Sequence, residues 1–374
     1  MRKPIPTTTA RPDPQPVEPV SAESSAPEIL ERLVHQAERA EASDIHVQMR
    51  EGSAAVSFRL DGVMTPTSEL AAAVADRVLG RIKFLARLKT YQESLPQDGR
   101  IDKESLNAQS DIRVSTYPTV TGEKVVLRLF NGTQVRALDE LDFTLDARLE
   151  VERFMRQTAG LMLLTGPAGS GKTTTIYACL RRLAESGGRH IITVEDPAEQ
   201  IVPGIMQTEV NEAIGLDFAK AARHLLRQDP QVLVIGEIRD EETANIAVRA
   251  SLTGHLVIST LHAGSCKGVF ERLLVLCRDP SAVASSVELV LNQRLLRRLC
   301  AKCSGKGCSD CLGTHYRGRF PLVESLRLSD TLRDHVLSRD LEPLTAQPAL
   351  ADKAHDLVQS GLTDEAEVRR VLGG

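Results

Sequence analysis

A glycine-rich segment in the middle of the chain has the residue types and spacing that bind phosphate groups. Residues 166–173 read Gly-Pro-Ala-Gly-Ser-Gly-Lys-Thr and fit the pattern G-x-x-x-x-G-K-S/T. An apolar run, 161–165, precedes the segment and a helical stretch, 173–186, follows it. Backbone N–H groups of such a loop surround phosphate oxygens, and the helix N-terminus adds positive potential.

The predicted nucleotide contacts cover this loop and the start of the helix. They are Gly166, Pro167, Ala168, Gly169, Ser170, Gly171, Lys172, Thr173 and Thr174. Lys172 is expected to reach the β- and γ-phosphates of ATP, and the Thr173 hydroxyl to ligate Mg²⁺.

Acidic residues end two other apolar runs of the same half of the chain. Glu237 follows the run 232–236, and in a P-loop domain the strand adjacent to the loop's own strand delivers a carboxylate beside Mg²⁺. Glu195 and Asp196 follow 191–194. Because chemistry in open α/β sheets gathers at strand carboxyl ends, Glu195 is a second candidate to polarise the attacking water or support Mg²⁺.

Two histidines flank a further apolar run, 256–261. His262 follows it and is expected at the same sheet edge as Glu195 and Glu237, where a histidine can contact the γ-phosphate. His255 precedes the run, and a structural role is as good an explanation for it.

Four cysteines lie close together near the C-terminal end. The spacing Cys300-x₂-Cys303-x₄-Cys308-x₂-Cys311 suits a tetrahedral, structural Zn²⁺ site. Basic residues surround them, and nucleic acid, anionic lipid, a partner protein or plain solvation would each explain this charge. These residues are Arg294, Arg297, Arg298, Lys302, Lys306, Arg317 and Arg319.

The elements that carry these residues fall into three parts. Residues 1–26 hold six of the 18 prolines and are expected to form a disordered tail. Residues 27–135 read as a small α+β domain, with helices over 28–41 and 70–88 and a hairpin turn at Asp61-Gly62. Residues 136–374 alternate strands and helices, which predicts an α/β domain around a parallel sheet. After residue 265 the pattern reads as mostly helical, with 131–140 as the linker between domains.

Composition narrows the class of protein. The 374 residues carry a net charge of −4 and 3% aromatic residues with no Trp, which disfavours a nucleic-acid-binding surface. Neither a signal peptide nor an apolar run of about 18 residues is present, so we expect a cytoplasmic protein.

The motifs in this order resemble the ATPases of type II secretion and type IV pilus assembly, in the branch that carries four cysteines. The shared signatures are Ala42-Ser-Asp-Ile-His46, Arg59-Leu-Asp-Gly62, Pro96-Gln-Asp-Gly-Arg100, Asp111 to Thr116, Gly122 to Arg128, Glu195-Asp-Pro197, Leu226 to Pro230, Gly236 to Asp240, Gly254 to His262, Gln293-Arg-Leu295 and Gly318-Arg319. The family's cysteine pairs are usually farther apart than here. An extra N-terminal docking domain is also usual there, and we expect only the short tail in its place here.

The resemblance implies a RecA-like ATPase domain in a homohexamer that drives an inner-membrane platform protein, with the chain peripheral to the membrane through its partners. It also implies that Arg113 and Arg128 stabilise charge on the γ-phosphate. Two alternatives stay open at this point: a RecA-like nucleic-acid motor, and a nucleotide-gated scaffold without turnover.

Overall fold

The chain in the computed structural model separates into two compact units. The structure describes residues 25–129, 136–346 and 348–373. One unit contains 25–129 together with Arg297–Gly318, and the other contains 136–296 and 319–373. The cysteine segment, which the sequence analysis groups with the ATPase domain, therefore lies in the first unit. Most of the predicted tail and residues 131–135 of the predicted linker lie outside the described residues, and the domain boundaries stay predictions.

The first unit is built on an antiparallel six-stranded sheet in the order β3-β2-β1-β6-β5-β4. Its elements are α1 (Ala26–Arg39), β1 (Asp44–Arg50), β2 (Ser53–Leu60), β3 (Val63–Ala71), α2 (Ala72–Leu85), β4 (Gln97–Ile101), β5 (Ile112–Thr119) and β6 (Gly122–Leu129). Strand β2 shows why the sheet has one apolar face: its alternate residues are buried, as expected for period-two side chains. The apolar sides of α1 and α2 pack in the same core as that face. The predicted α+β character is confirmed.

The second unit contains a seven-stranded sheet in the order β13-β12-β7-β11-β10-β8-β9. Its elements begin with α3 (Leu145–Met155), β7 (Gly160–Thr165), α4 (Lys172–Ser186), β8 (Ile191–Glu195), β9 (Met206–Glu209), α5 (Phe218–Leu225), β10 (Val232–Ile235), α6 (Glu241–Leu252) and β11 (Leu256–Thr260). They continue with α7 (Cys266–Leu276), α8 (Pro280–Ser286), β12 (Val287–Leu299), β13 (Tyr316–Arg327), α9 (Asp330–Ser338), α10 (Leu350–Gln359) and α11 (Glu365–Leu372). Of these strands, residues 297–299 of β12 and 316–318 of β13 are counted with the first unit.

The central strands β12, β7, β11, β10, β8 and β9 pair in parallel. All six residues of β7 are buried, as expected for a strand covered on both faces. Its alternate residues belong to different cores: Leu161 and Leu163 pack with α5 to α8, whereas Met162 and Leu164 pack with α3 and α4. The predicted α/β class is confirmed.

One expectation about the C-terminal region is wrong in part. Helices α7 to α11 do follow residue 265, but the segments directly before and after the cysteines are the strands β12 and β13, which the helical expectation missed. Strand β12 reads as helix in sequence since it mixes long apolar and basic residues without strict alternation. Its pairing with the buried strand β7 overrides that weak local preference.

None of the helices in the described ranges combines the length and the apolar character needed to cross a bilayer.

Candidate functional site

The glycine-rich loop joins the end of β7 to the start of α4, as the sequence predicts. Gly166, Gly169 and Gly171 have φ angles of 137°, 73° and 90°, which side-chain-bearing residues rarely adopt. At Gly166 space is also restricted: a Cβ there would lie 2.4 Å from the Gln293 carbonyl oxygen and 2.7 Å from Ser170 Oγ. The loop therefore needs glycine both for its conformation and for the close approach of β12.

Lys172 turns back onto the loop that precedes it. Its Nζ donates to the carbonyl oxygens of Gly166, at 2.8 Å, and Pro167, at 2.9 Å. Burial lowers the pKa of Lys172; the Glu237 carboxylate opposes this shift and the Arg294 guanidinium adds to it. A partly desolvated ammonium group at the N-terminus of α4 is a favourable partner for phosphate oxygens.

Two further features of the loop suit a bound nucleotide. Ser170 Oγ is buried and has no hydrogen-bond partner among the described residues, so the loop contains a polar atom that a ligand could satisfy. Thr173 and Thr174 lie in the first turn of α4, where backbone N–H groups have no acceptor within the helix. The residues present thus fit a phosphate-bearing ligand, with the Thr173 hydroxyl available for Mg²⁺.

Glu237 lies at the centre of a charged cluster beyond the end of β10. Its Oε1 is 2.9 Å from His262 Nε2, and its Oε2 accepts from Arg239 Nε at 2.7 Å. Arg239 is also 3.6 Å from Asp196. The structure thus brings together Glu237 and His262, as predicted from strand ends at one sheet edge.

The strand that precedes Glu237 is not the neighbour of the loop's strand, so this part of the sequence analysis is wrong. Strand β11, which ends just before His262, lies between β7 and β10. The order of strands in a parallel sheet depends on where each connecting segment returns the chain to the sheet. Local sequence does not encode that order. Because β7, β11 and β10 are parallel, Glu237 still follows a strand that ends at the same carboxyl edge of the sheet as the loop, and its charge acts to raise the pKa of Lys172.

Glu195 is buried in a hydrogen-bond network of its own. Thr193 Oγ1 donates to Oε1 at 2.6 Å, Gln207 Nε2 donates to Oε1 at 3.0 Å, and the Tyr177 hydroxyl donates to Oε2. Tyr177 Oη in turn accepts from the backbone N–H of Glu199, at 2.9 Å. Burial and, to a smaller extent, the hydrogen bond to the Glu195 carboxylate raise the pKa of Tyr177 well above its ordinary range. These contacts suit a residue that holds the loop after β8.

His255 lies apart from this cluster. It precedes β11 at the amino end of the sheet, where its Nδ1 lies 3.0 Å from the Ala250 carbonyl oxygen. The five residues of β11 separate it from the carboxyl edge by about 17 Å. The structure therefore favours the structural explanation of His255.

Arg113 and Arg128, in the first unit, are directly opposite each other in the pairing of β5 with β6. The same register extends along the sheet, so that five charged residues form one row across it. In sheet order they are Arg59, Asp44, Arg128, Arg113 and Arg100. Directly opposed residues lie on the same face of the sheet, and like charges in such pairs are destabilising. An anion bound at the row would reduce the repulsion among its arginines.

Asp44 lies within this row and binds two of its arginines, a role that was not predicted from the sequence. Its buried carboxylate accepts from Arg128 Nε at 2.9 Å and is 3.2 Å from Arg59 Nε. Although burial opposes the shift, hydrogen bonds from Arg128 and Ser43 hold the pKa of Asp44 below its usual value. The available signal was the Ala42-Ser-Asp-Ile-His46 signature, but only strand register shows what Asp44 contacts.

The four cysteines form a compact cluster, as predicted. Their Sγ atoms lie within 4.8 Å of one another, with distances of 3.9 Å for Cys300–Cys308, 3.9 Å for Cys303–Cys311 and 3.7 Å for Cys308–Cys311. A tetrahedron with Zn–S bonds of about 2.3 Å has edges of about 3.8 Å. The thiol positions therefore fit a Zn²⁺ ion.

Backbone groups support thiolates in this cluster. The N–H groups of Gly307 and Cys308 donate to the sulfurs of Cys303 and Cys311, both at 3.2 Å. Burial opposes thiolate formation at Cys303, but the Gly307 hydrogen bond and the neighbouring thiols bring its pKa down to about 7. At Cys311 burial prevails over the Cys308 hydrogen bond and raises the pKa to about 11, so Cys303 ionises more readily than Cys311. A thiolate is the form that binds zinc.

The basic residues around the cysteines do not form one free surface. Lys302 pairs with Asp310, Arg317 is 3.2 Å from Glu41 and 3.6 Å from Asp310, and the Arg297 guanidinium is 3.9 Å from the centre of the Tyr316 ring. Arg294 belongs to the second unit and lies at the glycine-rich loop. Several of the basic residues near the cysteines therefore make contacts within the protein.

Known proteins with similar sequences are secretion proteins. A family model described as "Type II/IV secretion system protein" matches residues 21–370. The type II secretion system protein E of Pseudomonas aeruginosa is 39% identical over 375 residues, spanning 92% of this chain and 74% of the relative. The type II secretion system ATPase E of Vibrio cholerae is 37% identical over 392 residues, spanning 96% of this chain and 78% of the relative.

Solved structures with a similar fold are ATPases and motors. The ATPase DotB of Legionella pneumophila superposes with a TM-score of 0.72 at 21% identity, covering 95% of this chain and 97% of DotB. The pilus retraction motor PilT with bound ADP gives a TM-score of 0.65 at 24% identity, covering 91% of this chain and 96% of PilT. At these identities the likeness concerns the fold, and it agrees with the fold class predicted from the sequence.

Replacing Gly166 by Ala should destabilise the second unit. The new Cβ would collide with the Gln293 carbonyl and would sit on a residue with positive φ, a combination expected to cost about 2–4 kcal/mol. Thermal unfolding measures this as a lower midpoint. Gly268→Ala is the control, because its nearest neighbour would be 3.4 Å away in an ordinary helix. Equal midpoints for the two variants would contradict the close approach of β12.

Proposed function

Since the chain belongs to the type II/IV secretion system protein family, we propose that it hydrolyses ATP to power the assembly of a pilus or pseudopilus. The observation that carries this proposal is that the glycine-rich loop with Lys172 and the Glu237–His262–Arg239 cluster follow parallel strands at the same carboxyl edge of the sheet. A nucleotide-gated scaffold without turnover would not need an acid and a histidine at the phosphate end of the loop. Family membership likewise disfavours a nucleic-acid motor.

The proposed roles follow from what each side chain contacts. The loop 166–171 and Lys172 bind the phosphates, and Thr173 binds Mg²⁺, which when bound neutralises charge on the β- and γ-phosphates. Glu237 faces this end of the site and orients the attacking water, while His262 and Arg239 fix its two carboxylate oxygens. Glu195 supports the loop after β8 through Tyr177.

Arg113 and Arg128 are proposed to stabilise negative charge on the nucleotide during hydrolysis. Their support is the row of residues across the first unit's sheet, which places four arginines on neighbouring strands with one buried carboxylate among them. Such a row gains stability when an anion binds it, and most when the charge on that anion increases.

The proposed setting is a homohexamer in the cytoplasm, attached to the inner membrane only through an inner-membrane platform protein. Zn²⁺ is proposed to hold the cysteine segment, which packs on the first unit through Leu312 and through the hydrogen bond from Gly318 N to Asp61 at 2.8 Å. Four protein ligands leave no open position, so the zinc is structural. The segment then presents a docking surface for the platform protein's cytoplasmic part.

Lys172→Ala should reduce Mg²⁺-dependent ATP hydrolysis by at least about 10²-fold, because it removes the positive charge at the transferred phosphoryl group. Steady-state phosphate release measures this. Lys220→Ala is the matched control, an exposed lysine of the same unit whose Nζ contacts the Gly215 carbonyl. Hydrolysis within about twofold of the unmodified protein would refute the ATPase proposal.

Arg113→Ala and Arg128→Ala should lower kcat by about 10²-fold while nucleotide affinity changes by less than about threefold, since charge on the γ-phosphate grows in the transition state. Turnover and ADP titrations measure the two effects. Arg77→Ala on α2 is the control, because its side chain is exposed and its guanidinium group donates to the Ala73 carbonyl of its own helix. A loss of affinity that matches or exceeds the loss of kcat would assign these arginines to ground-state binding instead.

Purified protein should contain one Zn²⁺ per chain, and the double replacement of Cys308 and Cys311 by Ser should remove it, because two of the four ligands are lost. Elemental analysis provides the measurement, and chelation should lower the unfolding temperature of the first unit before it affects nucleotide binding. Cys277→Ala is the control, a buried thiol outside the cluster. Folded, reduced protein without metal would exclude the zinc site. Normal secretion or piliation by a stable double variant would exclude the docking role.

A further inference from the structure

Arg294 lies on β12, the strand that pairs with β7 on the side opposite β11. Its Nη1 donates to Asn292 Oδ1 at 2.6 Å and to the Gln293 carbonyl at 2.9 Å, and its Nη2 donates to the Gly264 carbonyl at 2.9 Å. These contacts orient the guanidinium group. All three acceptors are neutral, so the positive charge is not balanced by a hydrogen-bonded carboxylate.

The guanidinium group lies at the start of the glycine-rich loop. A Cβ built on Gly166 would be only 3.2 Å from Arg294 Nη1. Lys172 Nζ donates to the carbonyl oxygen of the same Gly166, at 2.8 Å, so both cations lie at this residue. The positive charge of Arg294 accordingly adds to the lowering of the pKa of Lys172. Two neighbouring cations repel each other, and an anion between them would relieve that repulsion.

Partial burial makes this cation a strong anion ligand. Burial lowers the pKa of Arg294 from its ordinary value, against a smaller opposing effect of Glu324. The group stays charged at neutral pH, because arginine does not lose its proton in proteins. A guanidinium that has already lost part of its hydration forms short, charge-assisted hydrogen bonds to phosphate oxygens.

We propose that Arg294 binds a phosphate group of the nucleotide held by loop 166–173, as a second cation beside Lys172. This inference rests on the proposed function, since it assigns one more ligand to the same nucleotide. In sequence Arg294 is grouped with the basic residues near the cysteines, and only the pairing of β12 with β7 brings it to the loop.

The same three hydrogen bonds are also compatible with a purely structural role for Arg294. Through the Gly264 carbonyl, Arg294 joins β12 to the segment that follows His262, so that its function could be to hold that segment. Two substitutions separate the roles. Arg294→Lys keeps the charge but cannot reproduce three oriented hydrogen bonds, whereas Arg294→Gln keeps an amide donor for a carbonyl and loses the charge.

The test measures the Kd of Mg²⁺-ADP by calorimetry for the full chain and both variants. Phosphate binding predicts that Arg294→Gln weakens ADP binding by at least about tenfold, while Arg294→Lys stays within about threefold. Arg182→Gln is the control, since Arg182 is exposed on α4 about 15 Å along the helix from Lys172. Arg294→Gln with unchanged affinity, or equal losses in both variants with equally lowered unfolding midpoints, would overturn the proposal.

A second measurement uses the unmodified protein and so does not depend on how the variants fold. Phenylglyoxal modifies accessible arginines, and bound Mg²⁺-ADP should slow modification of Arg294 several-fold while leaving Arg182 unchanged, as mapped by mass spectrometry. Equal modification of Arg294 with and without ADP would reject the phosphate contact. Absence of any ADP binding by the unmodified protein would instead refute the proposed function, so the two failures are distinguishable.

Discussion

The close approach of β12 to the glycine-rich loop is the constraint on which the nucleotide end of the second unit depends. The Gln293 carbonyl occupies the space where any side chain on residue 166 would begin. Parallel pairing of β12 with β7 fixes that position through Leu291 opposite Leu164 and Asn292 opposite Thr165. Thr165 also exchanges hydrogen bonds with the backbone of Ala263, both at 2.9 Å. The loop therefore lies between two strand ends whose positions the sheet determines.

This placement concentrates charge where the carboxyl ends of the strands meet. Lys172 and Arg294 are contributed by the elements around β7, whereas Glu237, Asp196 and Arg239 are contributed by the elements around β10 and β8. Each of these two carboxylates has a cationic neighbour in Arg239. The two cations at the loop have backbone carbonyls and an amide as acceptors, which leaves their charge available to phosphates.

The first unit uses strand register in a comparable way. Asp44 forms ion pairs with Arg59 and Arg128. These pairs offset part of the repulsion among the four arginines of the row. A shift of one residue in any of the strand pairings would move the side chains to the other face of the sheet. The cysteine cluster belongs to the same unit, although its residues lie far along the chain from Asp44.

Local sequence determined the features that depend on short-range spacing. The glycine-rich loop, the cysteine pairs, the parallel strands β7, β8, β10 and β11 and the helices between them were predictable, because residues within a few positions set their backbone geometry. The predicted roles of the site residues remain proposals. Tertiary structure alone decided that β11 separates β7 from β10, that β12 and β13 are strands, and that Asp44 lies among arginines. It also decided that Arg294 reaches the loop rather than the cysteines. These facts depend on strand order and register between segments distant in sequence, which are set by packing of the whole sheet and leave no local pattern.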